Sequence, residues 1–211
     1  MIILGLTGSI GMGKTTASDS FRRFGIPVHN ADWAAHDMMR KGGEAVRSMA
    51  AMFPAAICKG GVDRQIIAQE VFADAKALDR VEEILHPLVR LRERRFLNHC
   101  ARQCRSMVVL DVPLLFETNG ERRCDGVITV SAPKIVQRQR VMGRPGMSLE
   151  RFHAILARQL SDEEKRKRSD FIVLTGIGRH FSFLQIQKIV RLTKRWKGKH
   201  WPQGQIIKGL E

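Results

Sequence analysis

The sequence predicts an α/β protein with a five-stranded, mostly parallel sheet. Short apolar runs rich in β-branched residues recur along the 211-residue chain, and segments with helical spacing separate most of them. The runs are Ile2–Leu6, Ile26–His29, Met107–Val112, Val127–Val130 and Phe171–Leu174. Strands that alternate with helices are typical of a three-layer arrangement, in which helices cover both faces of the sheet.

The first run leads directly into a glycine-rich loop. Residues 8–15 read Gly-Ser-Ile-Gly-Met-Gly-Lys-Thr and fit the P-loop pattern G-x-x-x-x-G-K-[ST]. Glycines let backbone N–H groups face phosphate oxygens, and the following helix adds the positive end of its dipole. We expect Lys14 to reach the β- and γ-phosphates of a nucleotide and Thr15 to ligate Mg²⁺. A turn that binds nothing is the alternative, and the strand before the loop argues against it.

A helix is predicted directly after this loop. Ala17, Phe21 and Phe24 have amphipathic spacing, and residues 25–27, Gly-Ile-Pro, end the helix. This context favours a nucleotide site made by the whole loop and the start of the helix. Its predicted residues are Gly8, Ser9, Ile10, Gly11, Met12, Gly13, Lys14, Thr15 and Thr16.

The segment between the second and third runs is helical in character and has hardly any strand signal. It is more than seventy residues long, and a connection of that length is too large for a simple crossover. We interpret residues 33–103 as an inserted helical subdomain. Residues 1–32 and 104–211 then form the domain that contains the sheet.

Two acidic residues lie at the ends of predicted strands, where open α/β sheets place their chemistry. Asp32 follows the second run, and it could equally be the N-cap of a helix over residues 33–40. Asp111 belongs to the third run and fits the carboxylate that holds a metal ion beside a P-loop. The alternative for Asp111 is a turn residue at the end of a strand.

Two arginines follow the fourth run. Arg140 and Arg144 are one helical turn apart, so both guanidinium groups could point to the same side. Arginines on a mobile segment can neutralise charge on a migrating phosphoryl group when that segment closes. A solvated basic face is the alternative. Ser148 is the predicted N-cap of the next helix.

The chain is strongly basic, with 36 Lys and Arg against 21 Asp and Glu and a net charge of +15. Such an excess suits nucleic acid, but much of it lies on predicted helices, where solvated faces are commoner. A positive cleft also suits a small anionic substrate. Residues 191–211 mix tryptophan with basic residues, which can bind single strands, yet a frayed basic end is the commoner case. We expect no nucleic-acid partner.

Cysteine usage and hydropathy predict the cellular setting. Cys58, Cys100, Cys104 and Cys124 do not have the paired spacing of a zinc site, so we expect reduced thiols. The chain enters a strand at once, without the pattern of a signal peptide, and no apolar stretch approaches the length of a membrane span. These features predict a cytoplasmic protein that does not associate with membranes.

Taken together, the motifs resemble the dephospho-coenzyme A kinase family in order and spacing. The P-loop alone indicates only a nucleotide, whereas His86-Pro87 and Asp111–Glu117 make the resemblance specific. It covers residues 2–175 approximately. Besides the P-loop, the matching segments are Asn30-Ala31-Asp32, Gly61–Arg64, Val71-Phe72, Ile84–Pro87, Asp111–Glu117, Arg140 with Arg144, and Gln159.

The resemblance implies a nucleoside-monophosphate-kinase-like core, a helical acceptor domain and a lid at about residues 138–160. It implies transfer of the γ-phosphoryl group of ATP, with Mg²⁺, to the ribose 3′-hydroxyl of dephospho-CoA, the last step of coenzyme A synthesis. Asp32 becomes the carboxylate nearest the acceptor hydroxyl and its general base. The other implied contacts are Arg64, His86 and Leu114 for the acceptor, and Arg140 (catalytic) and Arg144 (nucleotide) in the lid. We expect a monomer or weak oligomer.

Two positions depart from the family's pattern. Ile155 stands where the family usually has an arginine, four residues before Gln159. Thr175 stands where the family commonly has an asparagine near the adenine. We therefore expect a weaker preference for adenine over other bases. Two alternatives stay open at this point: a P-loop kinase for another small alcohol, and a nucleic-acid-binding P-loop NTPase.

Overall fold

The structure is a computed structural model that describes residues 1–201, without the side chains at positions 72, 73 and 75. The described chain divides into two compact units. The second unit is Asn30–Asn98, and the first consists of the described residues on either side of it. The sequence suggested boundaries near residues 33 and 103, and the role of the second unit in binding an acceptor stays a prediction.

In residues 1–201 the strands are β1 (Ile2–Thr7), β2 (Val28–Asn30), β3 (Ile57–Cys58), β4 (Gly61–Val62), β5 (Met107–Asp111), β6 (Gly126–Ser131) and β7 (Phe171–Leu174). The α-helices are α1 (Lys14–Arg23), α2 (Ala31–Met38), α3 (Val46–Met52), α4 (Arg64–Ala73), α5 (Ala75–Arg102), α6 (Lys134–Met142), α7 (Leu149–Ala157), α8 (Asp162–Lys167) and α9 (Arg179–Thr193). Short 3₁₀ turns at Pro54–Ala56 and Gly120–Arg123 complete the described elements.

A five-stranded sheet with the order β2-β5-β1-β6-β7 forms the centre of the first unit. β1 pairs in parallel with both β5 and β6, and β6 pairs in parallel with β7. Every residue of β1, β5 and β6 is buried, as expected for central strands covered on both faces. The predicted α/β fold with its five-stranded parallel sheet is confirmed.

The register of the sheet determines which side chains meet at its carboxyl edge. Leu6 of β1 lies opposite Asp111 of β5, and Thr7 lies opposite Thr129 of β6. The loop that follows Thr7 therefore starts beside the last residue of β5. Two helices, α1 and α9, contribute Phe21 and Ile186 to the core around these strands.

The second unit is mainly helical and has its own core. Met38, Met49 and Phe53 are buried there, with Val81 from α5. Among the described residues the unit also contains a small antiparallel hairpin of β3 and β4, which the sequence did not predict. Each of its strands has two residues, too few for a periodic signal, and the turn uses Lys59 and Gly60 in left-handed conformations with φ of 51° and 81°.

No helix within residues 1–201 has both the length and the apolar character required to cross a bilayer.

Candidate functional site

The glycine-rich loop connects β1 directly to α1, as predicted. Gly11 and Gly13 have φ of 78° and 92°, a region that favours glycine. A Cβ at Gly11 would lie 2.5 Å from Val141 Cγ2, and a Cβ at Gly13 would lie 3.0 Å from Thr175 Oγ1. Two glycines of the motif are therefore required both by the backbone conformation and by the neighbours that pack against the loop.

Lys14 and Asp111 form an ion pair at the carboxyl edge of the sheet. Lys14 Nζ donates to Asp111 Oδ1, and Ser18 Oγ donates to Asp111 Oδ2 at 2.6 Å. Asp111 is fully buried, whereas 15% of the Lys14 side chain is exposed. A buried carboxylate is costly without such partners. The structure thus brings together two predicted site residues and adds Ser18, which follows Lys14 by one helical turn.

Arg140 and Thr175 hold the carbonyl groups of the loop. Arg140 Nη1 donates to Thr175 Oγ1 at 3.0 Å and to Gly11 O at 3.4 Å, and Nη2 donates to Thr175 O at 2.7 Å. The Thr175 hydroxyl donates to Met12 O at 2.5 Å. Arg140 therefore lies against the loop in this structure, and its contact with a migrating phosphoryl group stays a prediction.

Two glutamines bind the backbone of Ile10 from the two ends of the predicted lid. Gln137 Nε2, in α6, donates to Ile10 O at 2.8 Å. Gln159 Oε1, just after α7, accepts from Ile10 N at 3.1 Å. Both backbone polar groups of Ile10 are thus satisfied by side chains, which fixes the loop against the predicted lid segment.

Arg144 does not share a helix face with Arg140. Helix α6 ends at Met142, and Arg144 is exposed in the segment that follows. Only Arg140 is therefore within the helix, because Gly143 is its C-cap residue, and the expectation that both guanidinium groups point to the same side stays a prediction. The predicted N-cap at Ser148 is confirmed, since its Oγ accepts from Arg151 N at 3.2 Å.

A buried lysine holds the turn that follows Asp111. Lys165 Nζ lies 2.9 Å from Pro113 O and 2.9 Å from Glu117 Oε1. Burial lowers the pKa of Lys165 below its ordinary value, and the hydrogen bond with Glu117 opposes this effect. Sequence reasoning missed Lys165, because it lies in a basic segment whose composition resembles a solvated surface.

A cleft of about 970 Å³ opens beside the loop, a volume in the upper range of small-molecule sites. Ser9 and Met12 of the loop line one part of it. Phe152 and Leu156 of α7 and Ile177 beyond β7 give it a largely apolar wall. The first unit therefore has space for a ligand of nucleotide size next to the predicted phosphate site.

Three of the four predicted acceptor residues, Asp32, Arg64 and His86, lie in the second unit. Asp32 is exposed in the first turn of α2. The N-cap of α2 is Asn30, whose Oδ1 accepts from Trp33 N at 2.7 Å, so the alternative interpretation of Asp32 as a cap is wrong. Arg64 is the exposed first residue of α4, and His86 is exposed on α5.

Leu114, the fourth predicted acceptor contact, is half-buried in the first unit, in the turn after Asp111. Among the described residues there is no group of three or more His, Cys, Asp or Glu side chains that could hold a metal ion.

The parallel sheet, the glycine-rich loop and the buried acid paired with its lysine define a P-loop nucleotide-binding protein. A family model described as dephospho-CoA kinase matches residues 2–177. This chain belongs to the dephospho-CoA kinase family and is a kinase.

Relatives support this assignment over most of the chain. A dephospho-CoA kinase of Paramagnetospirillum magneticum is 53% identical over 166 residues, which cover 79% of this chain and 78% of that protein. A dephospho-CoA kinase of Mesorhizobium japonicum is 47% identical and covers 90% of this chain and 95% of its own length.

Solved structures show the same fold. The crystal structure of TT1252 from Thermus thermophilus aligns with a TM-score of 0.79 at 34% identity, over 93% of this chain and 98% of that one. A dephospho-CoA kinase from Campylobacter jejuni aligns with a TM-score of 0.61 at 24% identity, over 90% and 96% of the two chains. The second similarity supports the fold alone.

Proposed function

We propose that this chain transfers the γ-phosphoryl group of ATP to the 3′-hydroxyl of the ribose in dephospho-CoA, giving coenzyme A and ADP. The family match over residues 2–177 carries this proposal, because it includes the loop, the Asp111–Glu117 segment and the whole second unit. The loop by itself would indicate only a nucleotide.

On the donor side, backbone N–H groups of the loop and the N-terminus of α1 would hold the β- and γ-phosphates. Lys14 Nζ donates to Asp111, and phosphate oxygens would share this cation. Arg140 already lies on Gly11. We propose that Arg140 and Arg144 neutralise charge on the phosphates.

Thr15 and Asp111 are the residues that we propose for a magnesium site. Both offer oxygen ligands, which Mg²⁺ prefers, and the Thr15 residue is exposed next to Lys14. Both Asp111 oxygens already accept hydrogen bonds, which suits an ion that keeps several of its waters and needs few protein ligands. When bound, Mg²⁺ would stabilise the negative charge on the β- and γ-phosphate oxygens.

In the transfer, the 3′-oxygen of the acceptor would form a bond to the γ-phosphorus as the bond to the β–γ bridging oxygen breaks. The bonding electrons leave with ADP, and the hydroxyl proton moves to the carboxylate of Asp32. Because the transition state is loose, alignment and charge neutralisation supply most of the acceleration, and the base adds a smaller part. Arg64, His86 and Leu114 are the proposed contacts that align the acceptor.

We also propose that the protein acts in the cytoplasm as a monomer or weak oligomer and does not bind nucleic acid. The basic excess supports the handling of two anionic substrates. Electrostatic attraction of such substrates weakens with salt, so the apparent KM for dephospho-CoA should rise with ionic strength.

The test is an assay of ADP release with ATP and Mg²⁺. Dephospho-CoA is compared with adenosine, which has the ribose and base only, and with pantetheine, which lacks the ribose. Of the three acceptors, we expect only dephospho-CoA to give rapid ADP release. Its product should carry one more phosphate, at the 3′ position. Absence of dephospho-CoA-dependent release would refute the proposal, and stimulation by nucleic acid without acceptor would indicate an NTPase instead.

A further inference from the structure

We propose that Lys165 is a positioning residue, which holds the turn after β5 and thereby the carboxylate of Asp111. The proposal depends on the function proposed above only for the measurements of kcat. The measurements of folding and of ADP binding are independent of that function. Lys165 lies on α8 and has no exposed side-chain area. Nothing in the predicted mechanism uses it as an acid, a base or a phosphate ligand.

The contacts of Lys165 are at the two ends of one turn. Its ammonium group bonds to Pro113 O, two residues after Asp111, and to Glu117 Oε1, at the far end of the segment. Hydrogen bonds from a charged donor are shorter and stronger than neutral ones. One cation therefore fixes both the beginning and the end of the turn that leaves β5.

The same two acceptors connect the turn to other parts of the site. Pro113 O also accepts from the hydroxyl of Thr7 at 2.9 Å, and Thr7 is the last residue before the loop. Glu117 Oε1 also accepts from Leu160 N at 2.8 Å, at the end of the predicted lid. Lys165 is thus the shared donor of a network that joins the loop, the turn and the lid segment.

Stability alone is a poor explanation for this arrangement. Burial of two charges carries a desolvation cost that their attraction often fails to exceed, and an apolar pair of similar volume is frequently as stable. An apolar pair, however, makes no directional hydrogen bonds. The lysine donates along defined lines to two oxygens, so its particular contribution is the geometry of the turn that starts at Asp111.

The experiment uses the double variant Lys165→Met with Glu117→Gln. Lys165→Met alone would leave Glu117 without its cation, so we expect a clearly lower unfolding temperature. The double variant removes both charges and keeps an oxygen for Leu160 N. We expect its unfolding temperature to return close to that of the wild type, while kcat stays about tenfold to a hundredfold lower, because small misplacements in an active site have effects of this size.

Binding of ADP gives a readout that is independent of the acceptor. Without Mg²⁺, we expect the double variant to bind ADP as tightly as the wild type, because the loop and Lys14 are unchanged. With Mg²⁺, the wild type should gain affinity, and the double variant should lose most of this gain because Asp111 is displaced. Lys167→Met is the matched control: this exposed lysine of α8 pairs with Glu163 at the surface, and its loss should change none of these values.

Wild-type kcat and Mg²⁺ dependence in a stable double variant would overturn the proposal and leave Lys165 a purely structural role. An equal loss of Mg²⁺-free ADP affinity and kcat would also overturn it. If the double variant does not fold, Thr7→Val provides a second test, because Thr7 donates to the same carbonyl of Pro113 and carries no charge. A lower kcat supports the proposal, and an unchanged kcat refutes it. If the wild-type protein shows no dephospho-CoA-dependent ADP release, the proposed function is refuted. The measurements of ADP binding with and without Mg²⁺ would still test the role of Lys165.

Discussion

The predicted phosphate site of the first unit and the predicted acceptor residues of the second unit differ in how deeply their side chains are buried. Asp111 is completely buried and accepts from both Lys14 and Ser18. Asp32 and His86, in contrast, are exposed at the surface of their unit. The predicted donor side is held by contacts within one unit, whereas the predicted acceptor residues Asp32 and His86 lie at the surface of the other.

This difference separates stability from activity. Substitutions in the buried donor site should change nucleotide affinity and the free energy of unfolding together, since the same contacts serve both. Substitutions among the exposed acceptor residues should change turnover with little effect on folding. Each of the following experiments can contradict or refine this contrast.

The largest effect is expected for Lys14→Met. Loss of this charge should lower kcat by about 10²- to 10³-fold, as for other groups that stabilise a developing charge. It also leaves Asp111 buried without its cation, which should lower the free energy of unfolding by about 3–5 kcal/mol. ADP release and denaturant unfolding measure the two effects. The control Lys14→Arg keeps the charge and should regain much of the stability. A Lys14→Met variant as stable as the wild type would contradict the expectation that the buried donor site supports both activity and folding.

Asp32→Asn should separate activity from folding most clearly. Without a carboxylate to accept the hydroxyl proton, kcat should fall about a hundredfold, whereas the unfolding temperature and the ADP dissociation constant should stay unchanged. Calorimetry and ADP titration provide these two values. Equal losses in turnover and in nucleotide affinity would show that Asp32 supports the structure instead.

Thr175→Val should have a moderate effect confined to the donor. The substitution keeps the shape but removes the hydroxyl that donates to Met12 O and accepts from Arg140. A lost hydrogen bond of about 1 kcal/mol corresponds to a roughly fivefold rise in the KM for ATP. The KM for dephospho-CoA should not move. Thr175→Ser retains the hydroxyl and should behave as the wild type, and comparison of ATP with GTP in both variants tests the expected weaker preference for adenine.

The smallest effect is expected for the pH dependence of stability, through Asp37 in the second unit. A hydrogen bond from Arg92 lowers the pKa of Asp37 below its ordinary value of 3.8. Because the folded pKa is the lower one, this stabilisation is present above pH 3.8 and is lost as pH falls through the folded pKa. The unfolding temperature of Asp37→Asn should therefore decline less steeply with acid than that of the wild type. Parallel curves from pH 6 to about pH 3 would contradict this prediction.

The sequence predicted the fold because its signals are local. Apolar runs marked the five strands of the sheet, and the loop pattern placed Lys14 at the start of a helix. The short hairpin at residues 57–62 was missed, since two-residue strands give no periodicity. The position of Asp32 was left open between two interpretations, and the side chain of Asn30 decided which residue caps the helix.

The partners of the site residues were harder to predict, because they come from distant parts of the chain. Ser18 and Asp111 are 93 positions apart, and Lys165 and Pro113 are 52 positions apart. Neither pair has a pattern in the sequence. The contact of Ser18 with Asp111 depends on the register of β1 against β5, which only the folded sheet establishes.

The glutamine contacts to Ile10 have a consequence for motion. Gln137 and Arg140 fix α6 to the loop, and Gln159 fixes the far end of the predicted lid to the same loop. A closing movement that preserves these bonds can involve only the residues between them, about 143–158, and Gly146, with φ of 71°, is suited to serve as a hinge. Such a movement would carry Arg144 and leave Arg140 in place, so of these two arginines only Arg144 would change its distance from the nucleotide.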